Sequence, residues 1–474
     1  MPPPNLRPCK VLIAGGGISG LTLALSLEKH GVDYLLLEAY PDLAPRRGGG
    51  IAVMPNGARI LDQLGCFEDL YQRAGGSAVS RLYLRGPDGQ VLAIVDHTDK
   101  DLTERRTYDH LMHYSHRHGY PNIWVDRHHL LRTLHDHITD KSRLLPNKRI
   151  TTVHHLPDGV EVTTADGSTY RGEILVGADG THSTVRQAIV ARATALGLGK
   201  EYSEEEQIPS TYDCIFGLSP YHPGLAEAGE ESTLQFILGD HQSYIVGTSG
   251  PANRSWWFLV MNRGAIHHGA EIPTYDAADK ARVLRAHASD QITPTVTLAD
   301  LMSAGPVETV YTPLREWVYS RWHLGRMGVV GDAAHKMTTV LAQGGNQAIE
   351  SAAAMTNSLL KVLANGRVGS LTDGEIEAMF EEVQVLRAPR ARDMMEASGK
   401  KQRADAMETP ELKHFSMHVF PKIIGPGTFR RWKEYLVGAV SLRGLPVPHR
   451  KRVVPFDDEV ERATEGVGRV VAKL

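Results

Sequence analysis

Hydrophobic and polar positions along the chain fall into three regimes. Residues 10–14 (KVLIA) read as a short buried strand, apolar after Lys10, and they meet Gly15-Gly16-Gly17-Ile18-Ser19-Gly20. The following LTLALSLEKHG carries apolar residues at helical spacing until Gly31 stops it. A second apolar run, Tyr34 to Leu37, ends on Glu38. The pattern predicts strand, helix, strand: the opening of a parallel α/β sheet. Two later runs end the same way, Ile174-Leu175-Val176 in Gly177-Ala178-Asp179-Gly180 and Val329-Val330 in Gly331-Asp332. Between them, over 212–262, alternating aromatic-rich segments (CIFGLS, STLQFILG, YIVGTSG, WWFLVMN) are broken by glycines, which predicts antiparallel sheet. Residues 193–210 read as a small, acidic connection, and from about Leu371 the chain turns helical and charged.

Bulk properties narrow the classes of function. A chain of 474 residues holds two or three structural units. Its formal net charge of −3 gives no electrostatic reason to expect nucleic acid as a partner. Three scattered cysteines, Cys9, Cys66 and Cys214, fit a reducing compartment and offer no thiolate metal site. Prolines interrupt the start where a secretory signal needs an apolar core, and no apolar run is long enough to span a membrane. The expectation is a cytoplasmic protein. The terminal Ala-Lys-Leu, close to a Ser-Lys-Leu address, keeps the peroxisome open, and Ile423 to Pro448 keeps peripheral membrane contact open.

Candidate chemistry begins with Gly15-x-Gly17-x-x-Gly20, which gains meaning from its place between a strand and a helix and from the acid that answers it. Gly15 permits the tight turn, Gly17 lets a backbone approach a pyrophosphate, and Gly20 lets helix and strand pack closely. Ile18 and Ser19 open the helix, whose free N–H groups favour phosphate. Glu38 is placed to accept hydrogen bonds from a ribose and to repel a 2′-phosphate, so the pattern points to FAD or NAD rather than NADP. Histidines crowd residues 110–137, including His113-x-x-His116-x-His118, but no cysteine or nearby carboxylate completes a shell, and no metal is expected.

Two further motifs decide the cofactor. Gly177-Ala178-Asp179-Gly180-Thr181-His182-Ser183-Thr184-Val185-Arg186 is followed, in order, by Gly331-Asp332-Ala333-Ala334-His335 and Gln343-Gly344-Gly345-Asn346-Gln347. With these, the chain resembles the aromatic-hydroxylase-like FAD-dependent monooxygenases from about residue 9 to about residue 450. Within them it is most similar to the fungal branch that epoxidises indole diterpenes and meroterpenoids. The resemblance implies an α/β fold: a Rossmann-like FAD-binding domain over 8–82, 107–192 and 309–365, an inserted, mainly antiparallel β substrate domain over 83–106 and 210–308, and a C-terminal helical region and tail over 366–474. It implies non-covalent FAD, NAD(P)H as a transient reductant, and transfer of oxygen from a flavin C4a-hydroperoxide to a bulky apolar small molecule. A homo- or heterodimer stays open.

The resemblance also assigns residues. Asp332 faces the ribityl and pyrophosphate region, and the helix beginning near Gly344, with Gly345 and Asn346, faces the flavin pyrimidine edge. Asp179 serves FAD and the nicotinamide, and Arg127 in WVDRHHLL holds FAD. In "LAPRRGGGIAVMPNGARIL", Gly50 and Ala52 lie along the isoalloxazine ring, where bulky side chains collide. Tyr212 aligns with a tyrosine treated as catalytic; an aromatic packed in the sheet with its hydroxyl satisfied is the alternative. One loop departs from the family form KMTPxxGQGGNQ: Thr339 replaces proline and Ala342 replaces glycine. That departure keeps open a flavin-bound cyclase or isomerase, or a pseudo-oxygenase supporting a paralogue.

Overall fold

The structure, a computed structural model, describes residues 8–46, 48–96, 117–204, 207–364, 370–424 and 435–462. His113, His116 and the Ala-Lys-Leu end lie outside them, as do parts of the 193–210 and 423–448 segments.

The unbroken apolar runs form the centre of one sheet. Strand Thr169–Gly177 pairs in parallel with Cys9–Ala14 on one side and Met327–Val329 on the other, and Tyr34–Leu37 continues the sheet beyond Cys9–Ala14. Register sets Val11 against both Ile174 and Tyr34. Helix Ile18–Lys29 covers one face together with Arg127–His137 and Gln343–Leu363, and helix Thr184–Ala195 covers the other. Both faces are dry, so these strands show no polar alternation. A hairpin, Ile150–Leu156 with Gly159–Thr164, adds antiparallel to the near half of Thr169–Gly177.

The alternating segments form a second, seven-stranded sheet. Its order is Glu308–Leu314, Pro209–Ser219, Arg254–His268, Gln242–Ser249, Thr233–Leu238, Arg81–Arg85, Val91–Asp96, antiparallel except where Thr233–Leu238 runs beside Arg81–Arg85. Alternation sorts the aromatics: Trp256 and Phe258 join Tyr212, Cys214 and Phe216 on one face, whereas Trp257 packs with Ile215, Tyr244 and Leu259 on the other. Gly217 lies opposite Trp257, whose indole occupies the space a side chain there would need. The strand Glu308–Leu314 continues the ladder of Pro209–Ser219, so this sheet extends past residue 309, and at its other end it begins at Arg81.

The C-terminal helix, Asp373–Asp405, starts in a capping box at Thr372 and packs along Gln343–Leu363. A buried charge cluster joins the two. Glu350 accepts from Arg387 Nη1 (2.5 Å), Arg390 Nε (2.7 Å) and Asn56 Nδ2 (2.7 Å), and the Glu350 and Arg387 side chains are both 0% exposed. Burial alone raises a carboxyl's pKa; the two arginines more than reverse this and hold Glu350 at about 2. Both ions are paired and hydrogen-bonded, the condition under which buried charge is tolerated. Among the described residues no helix is long and apolar enough to cross a membrane.

Candidate functional site

The first glycine motif builds a cradle at the carboxyl ends of the central strands. Gly15 has φ +101°, and a Cβ there would lie 2.6 Å from the Ala178 carbonyl, so strand crossing and turn both demand glycine. The Gly16 N–H donates to Glu38 Oε2 (2.5 Å) and the Tyr40 N–H to Glu38 Oε1 (2.9 Å), which fixes the carboxylate at the strand end. Gly17, at the helix N-cap, has nothing within 3.9 Å of its missing Cβ, so the helix N-terminus opens onto free space. Ser19 is buried against Gly331, a left-handed glycine (φ +63°) whose Cβ would collide with the Ser19 hydroxyl. Gly20 is equally closed, by the Gly15 carbonyl. A cavity of about 1260 Å³ runs from Gly15–Gly17 past Glu38 and Arg127 to Asp179, Gly180 and Thr181. That exceeds the roughly 300–1,000 Å³ of ordinary small-ligand sites and suits a long molecule.

Arg127 is the group in this cavity that calls most clearly for a ligand. It begins the helix Arg127–His137, its backbone N–H donates to the Gly49 carbonyl, and its guanidinium has no hydrogen bond or ion pair with any described residue. Burial lowers its pKa, against the attraction of Asp332 and Glu38. A half-buried cation that faces a cavity without a hydrogen-bonded partner suits an anion such as a pyrophosphate. Asp332 approaches from the opposite motif. Burial pushes its carboxyl up, but Lys336, His335 and Arg127 together hold it low and charged. Lys336 Nζ donates to Asp332 Oδ2 (2.8 Å) and to Thr181 Oγ1 (2.7 Å), tying the second and third motifs into one site. Asp179 lines the same cavity, but its oxygens accept from the Ser183 hydroxyl (2.5 Å) and the Val185 N–H (3.2 Å), so it also holds the start of the next helix. Burial raises its pKa.

The glycine run lies between the two sheets. Strand Gly50–Val53 pairs antiparallel with Ile123–Asp126, Gly50 opposite Asp126 and Ala52 opposite Trp124. Gly48 is left-handed (φ +108°) and packs on Arg127. The missing side chains of Gly49 and Gly50 leave room for Phe216 and Phe258, and for the Trp256 indole. Trp256 is locked there by Asp126, which accepts its Nε1–H at 2.7 Å. On the far side Ile51 presses on Gly345, whereas nothing lies within 4 Å of a Cβ built at Gly344, so one glycine serves packing and the other leaves open space. Ile18 closes on Gly345 as well. Asn346 is fully engaged: Nδ2 donates to the carbonyls of Ala52 (2.9 Å) and Ala342 (2.7 Å), and Oδ1 accepts from the Met54 N–H (3.0 Å). It pins the strand to the helix end and has no free amide atom for a cofactor.

Tyr212 stands apart. It is 3% exposed, its hydroxyl donates to Glu408, and it lines neither this cavity nor the apolar one described below. Glu408 also accepts from Asn262 Nδ2 (2.7 Å) and Arg403 Nε (2.9 Å), linking the second sheet to the end of the long C-terminal helix. The histidine-rich stretch places Asp126, His128 and His129 within 4.8 Å of one another. The carboxylate there already serves Trp256 and Arg254, and Arg46 lies close enough to help depress both histidine pKa values beyond the effect of burial, so the surroundings are hostile to a cation. Sequence reasoning missed Lys336, although its spacing four residues after Asp332 was a usable signal. It also missed Glu408 and Lys401, which no motif marks.

An open helix N-terminus, an acid at the second strand end and a half-buried arginine without a hydrogen-bonded partner among the described residues together fit a dinucleotide such as FAD. Comparison with known proteins agrees. The family model described as "FAD binding domain" matches residues 8–378. The FAD-dependent monooxygenase cdmI of Talaromyces verruculosus is 32% identical over 452 residues, 94% of this chain and 89% of that protein. The FAD-dependent monooxygenase spyC of Aspergillus fumigatus is 34% identical over 418 residues, 87% and 83% of the two chains. Among solved structures, HpxO of Klebsiella pneumoniae, determined with FAD and uric acid, superposes with a TM-score of 0.68 at 21% identity, covering 91% of this chain and 97% of that one. CtdE, determined with FAD and a substrate, gives 0.65 at 17%, covering 90% and 98%. The chain therefore belongs to the FAD-dependent monooxygenases. FAD is its cofactor, and the chain is an oxidoreductase.

Two outcomes follow from this geometry. Arg127→Ala should raise the dissociation constant for FAD roughly ten- to a hundredfold, the scale of a charge-assisted hydrogen bond, read by flavin fluorescence on titration of apoprotein; unchanged affinity would remove Arg127 from the site. Tyr212→Phe should keep turnover within about threefold and lower the unfolding free energy by about 1–3 kcal/mol, the loss of a hydrogen bond to a carboxylate. A hundredfold fall in kcat at unchanged stability would restore a catalytic phenol.

Proposed function

We propose that the enzyme uses NAD(P)H and O2 to epoxidise or hydroxylate a bulky apolar intermediate of terpenoid or meroterpenoid type in fungal secondary metabolism. The observation that supports this most is a second cavity, separate from the nucleotide cradle and apolar in its walls. Ala52, Met54, Trp124, Leu234, Phe236 and Ile245 line it, with Thr339 through Ala342 at one side and Phe420 and Ile424 at another. It thus meets the strand Gly50–Val53 and the loop before Gln343–Leu363, the same elements the family resemblance sets along the flavin ring. Bound FAD supplies the electron carrier and the centre at which oxygen is activated. The chain's own residues exclude water from that centre, orient an apolar molecule against it, and present the N-terminus of Gln343–Leu363 toward developing negative charge. In this structure the cavity measures about 80 Å³. A bulky substrate needs several hundred, so entry requires the cavity walls to move apart.

HpxO with uric acid and CtdE with its substrate show this architecture accommodating organic molecules, which supports a small-molecule substrate here. The loop that departs from the family also favours oxygenation over the cyclase or isomerase reading. Ala342 holds φ +54° and ψ 25°, the left-handed conformation a glycine adopts, and its N–H still donates to the Thr339 carbonyl (2.9 Å). The loop follows a glycine-compatible path despite carrying a methyl group.

Ala342→Gly should therefore raise the unfolding free energy by about 1 kcal/mol by relieving left-handed strain, measured by denaturant titration, with FAD retained; a loss of stability would mean the methyl group packs productively. The reaction itself is tested by incubating purified protein with terpenoid candidates, NADPH and ¹⁸O-labelled O2. One labelled atom in the product is expected. Turnover without label would establish an isomerase or cyclase.

A further inference from the structure

Among the described residues that line the apolar cavity, one is charged: Lys401, near the end of helix Asp373–Asp405. Its ammonium donates to both carboxylate oxygens of Asp405, one turn further on. It also lies 4.6 Å from the ring centre of Phe236 and 5.5 Å from that of Phe420, two aromatics of the same cavity wall. The Lys401 side chain is 21% exposed and that of Asp405 only 4%.

A buried ion pair is a poor source of stability, because desolvation offsets its attraction unless further hydrogen bonds complete both ions. Two pairs of this helix, one fully buried and one with only its carboxylate buried, differ in that respect. Glu350 with Arg387 joins two helices and is completed by Arg390, Asn56 and Gln347. Lys401 with Asp405 joins two residues of a single helix, and neither side chain has another hydrogen-bond partner among the described residues. An apolar pair would pack this wall without the desolvation penalty. An ammonium has three N–H donors and the Asp405 carboxylate two oxygens, so a third N–H is left for water or a ligand, at the edge of a cavity otherwise suited to hydrocarbon.

The pair is neutral overall, which sets the class of ligand. A carboxylate would bring a second anion beside Asp405. A neutral oxygen acceptor completes the ammonium without that repulsion. We propose that Lys401, held in place by Asp405, donates a hydrogen bond to a carbonyl oxygen on an otherwise apolar substrate, and so directs the opposite end of that molecule toward the Ala52–Ala342 wall. This rests on the reading of the apolar cavity as the substrate site.

Two small probes differing only in C=O against CH2, butylacetophenone and butylethylbenzene, test it by titration into FAD-loaded enzyme, read from the perturbed flavin absorbance. The wild type should bind the ketone about tenfold more tightly. Lys401→Met leaves Asp405 buried and unpaired, so the double variant Lys401→Met/Asp405→Asn is measured beside it; each should bind the two probes within about twofold of one another, with FAD content retained. Equal binding by the wild type, or a preference that survives in the double variant, overturns the inference and leaves the substrate site standing. Failure of both probes to bind the wild type overturns the substrate site and the inference together.

Discussion

The short strand Gly50–Val53 is the constraint on which the rest of the molecule depends. It is squeezed between aromatic rings of the second sheet and the first turn of Gln343–Leu363, and glycine at 49, 50 and 345 is what allows the approach. Asn346 closes the sandwich with three hydrogen bonds, two of them to backbone of that strand and its continuation at Met54. Close-packed interiors transmit displacement rather than absorb it. A shift of this strand would therefore move Ala52, which lines the apolar cavity, and Gly48, which packs on Arg127 in the nucleotide cavity. The cofactor and substrate regions are held in register by one four-residue element.

Charge is distributed by the same logic. In the buried cluster Glu350 accepts hydrogen bonds on both carboxylate oxygens, and it behaves as a rivet between helices. Arg127 and Lys401 are each left incomplete, one facing the nucleotide cavity and the other the apolar one. Incompletely satisfied buried polar groups cost stability wherever they occur. A molecule bound in each cavity would supply the missing partner.

Much of the nucleotide half was legible in the chain, because its chemistry is local. Gly15, Gly17 and Gly20 act on a turn, a helix start and a strand crossing within six residues, and Glu38 follows one strand later. The apolar runs announced a sheet buried on both faces. The role of the glycine run was harder. Reading it as space for a flavin ring was reasonable from position, but the side chains that claim the space at Gly49 and Gly50 are Phe216, Phe258 and Trp256, some 160 to 210 residues away and visible only once the sheets are stacked. Tyr212 shows the same limit. Strand alternation put it on the correct face with Cys214 and Phe216, yet nothing nearby in sequence indicates that Glu408 takes its hydroxyl.

By itself the sequence determined what short-range rules can determine: the strand–helix–strand opening, the glycines at tight approaches, the acid that answers them, and the change from buried runs to alternating strands. Tertiary structure alone decided which groups are left without partners. Whether Arg127 or Lys401 is satisfied depends on every residue that packs around it, and those residues come from segments distant in the chain. Hydrogen-bond completion is a property of the assembled interior, which no local pattern encodes.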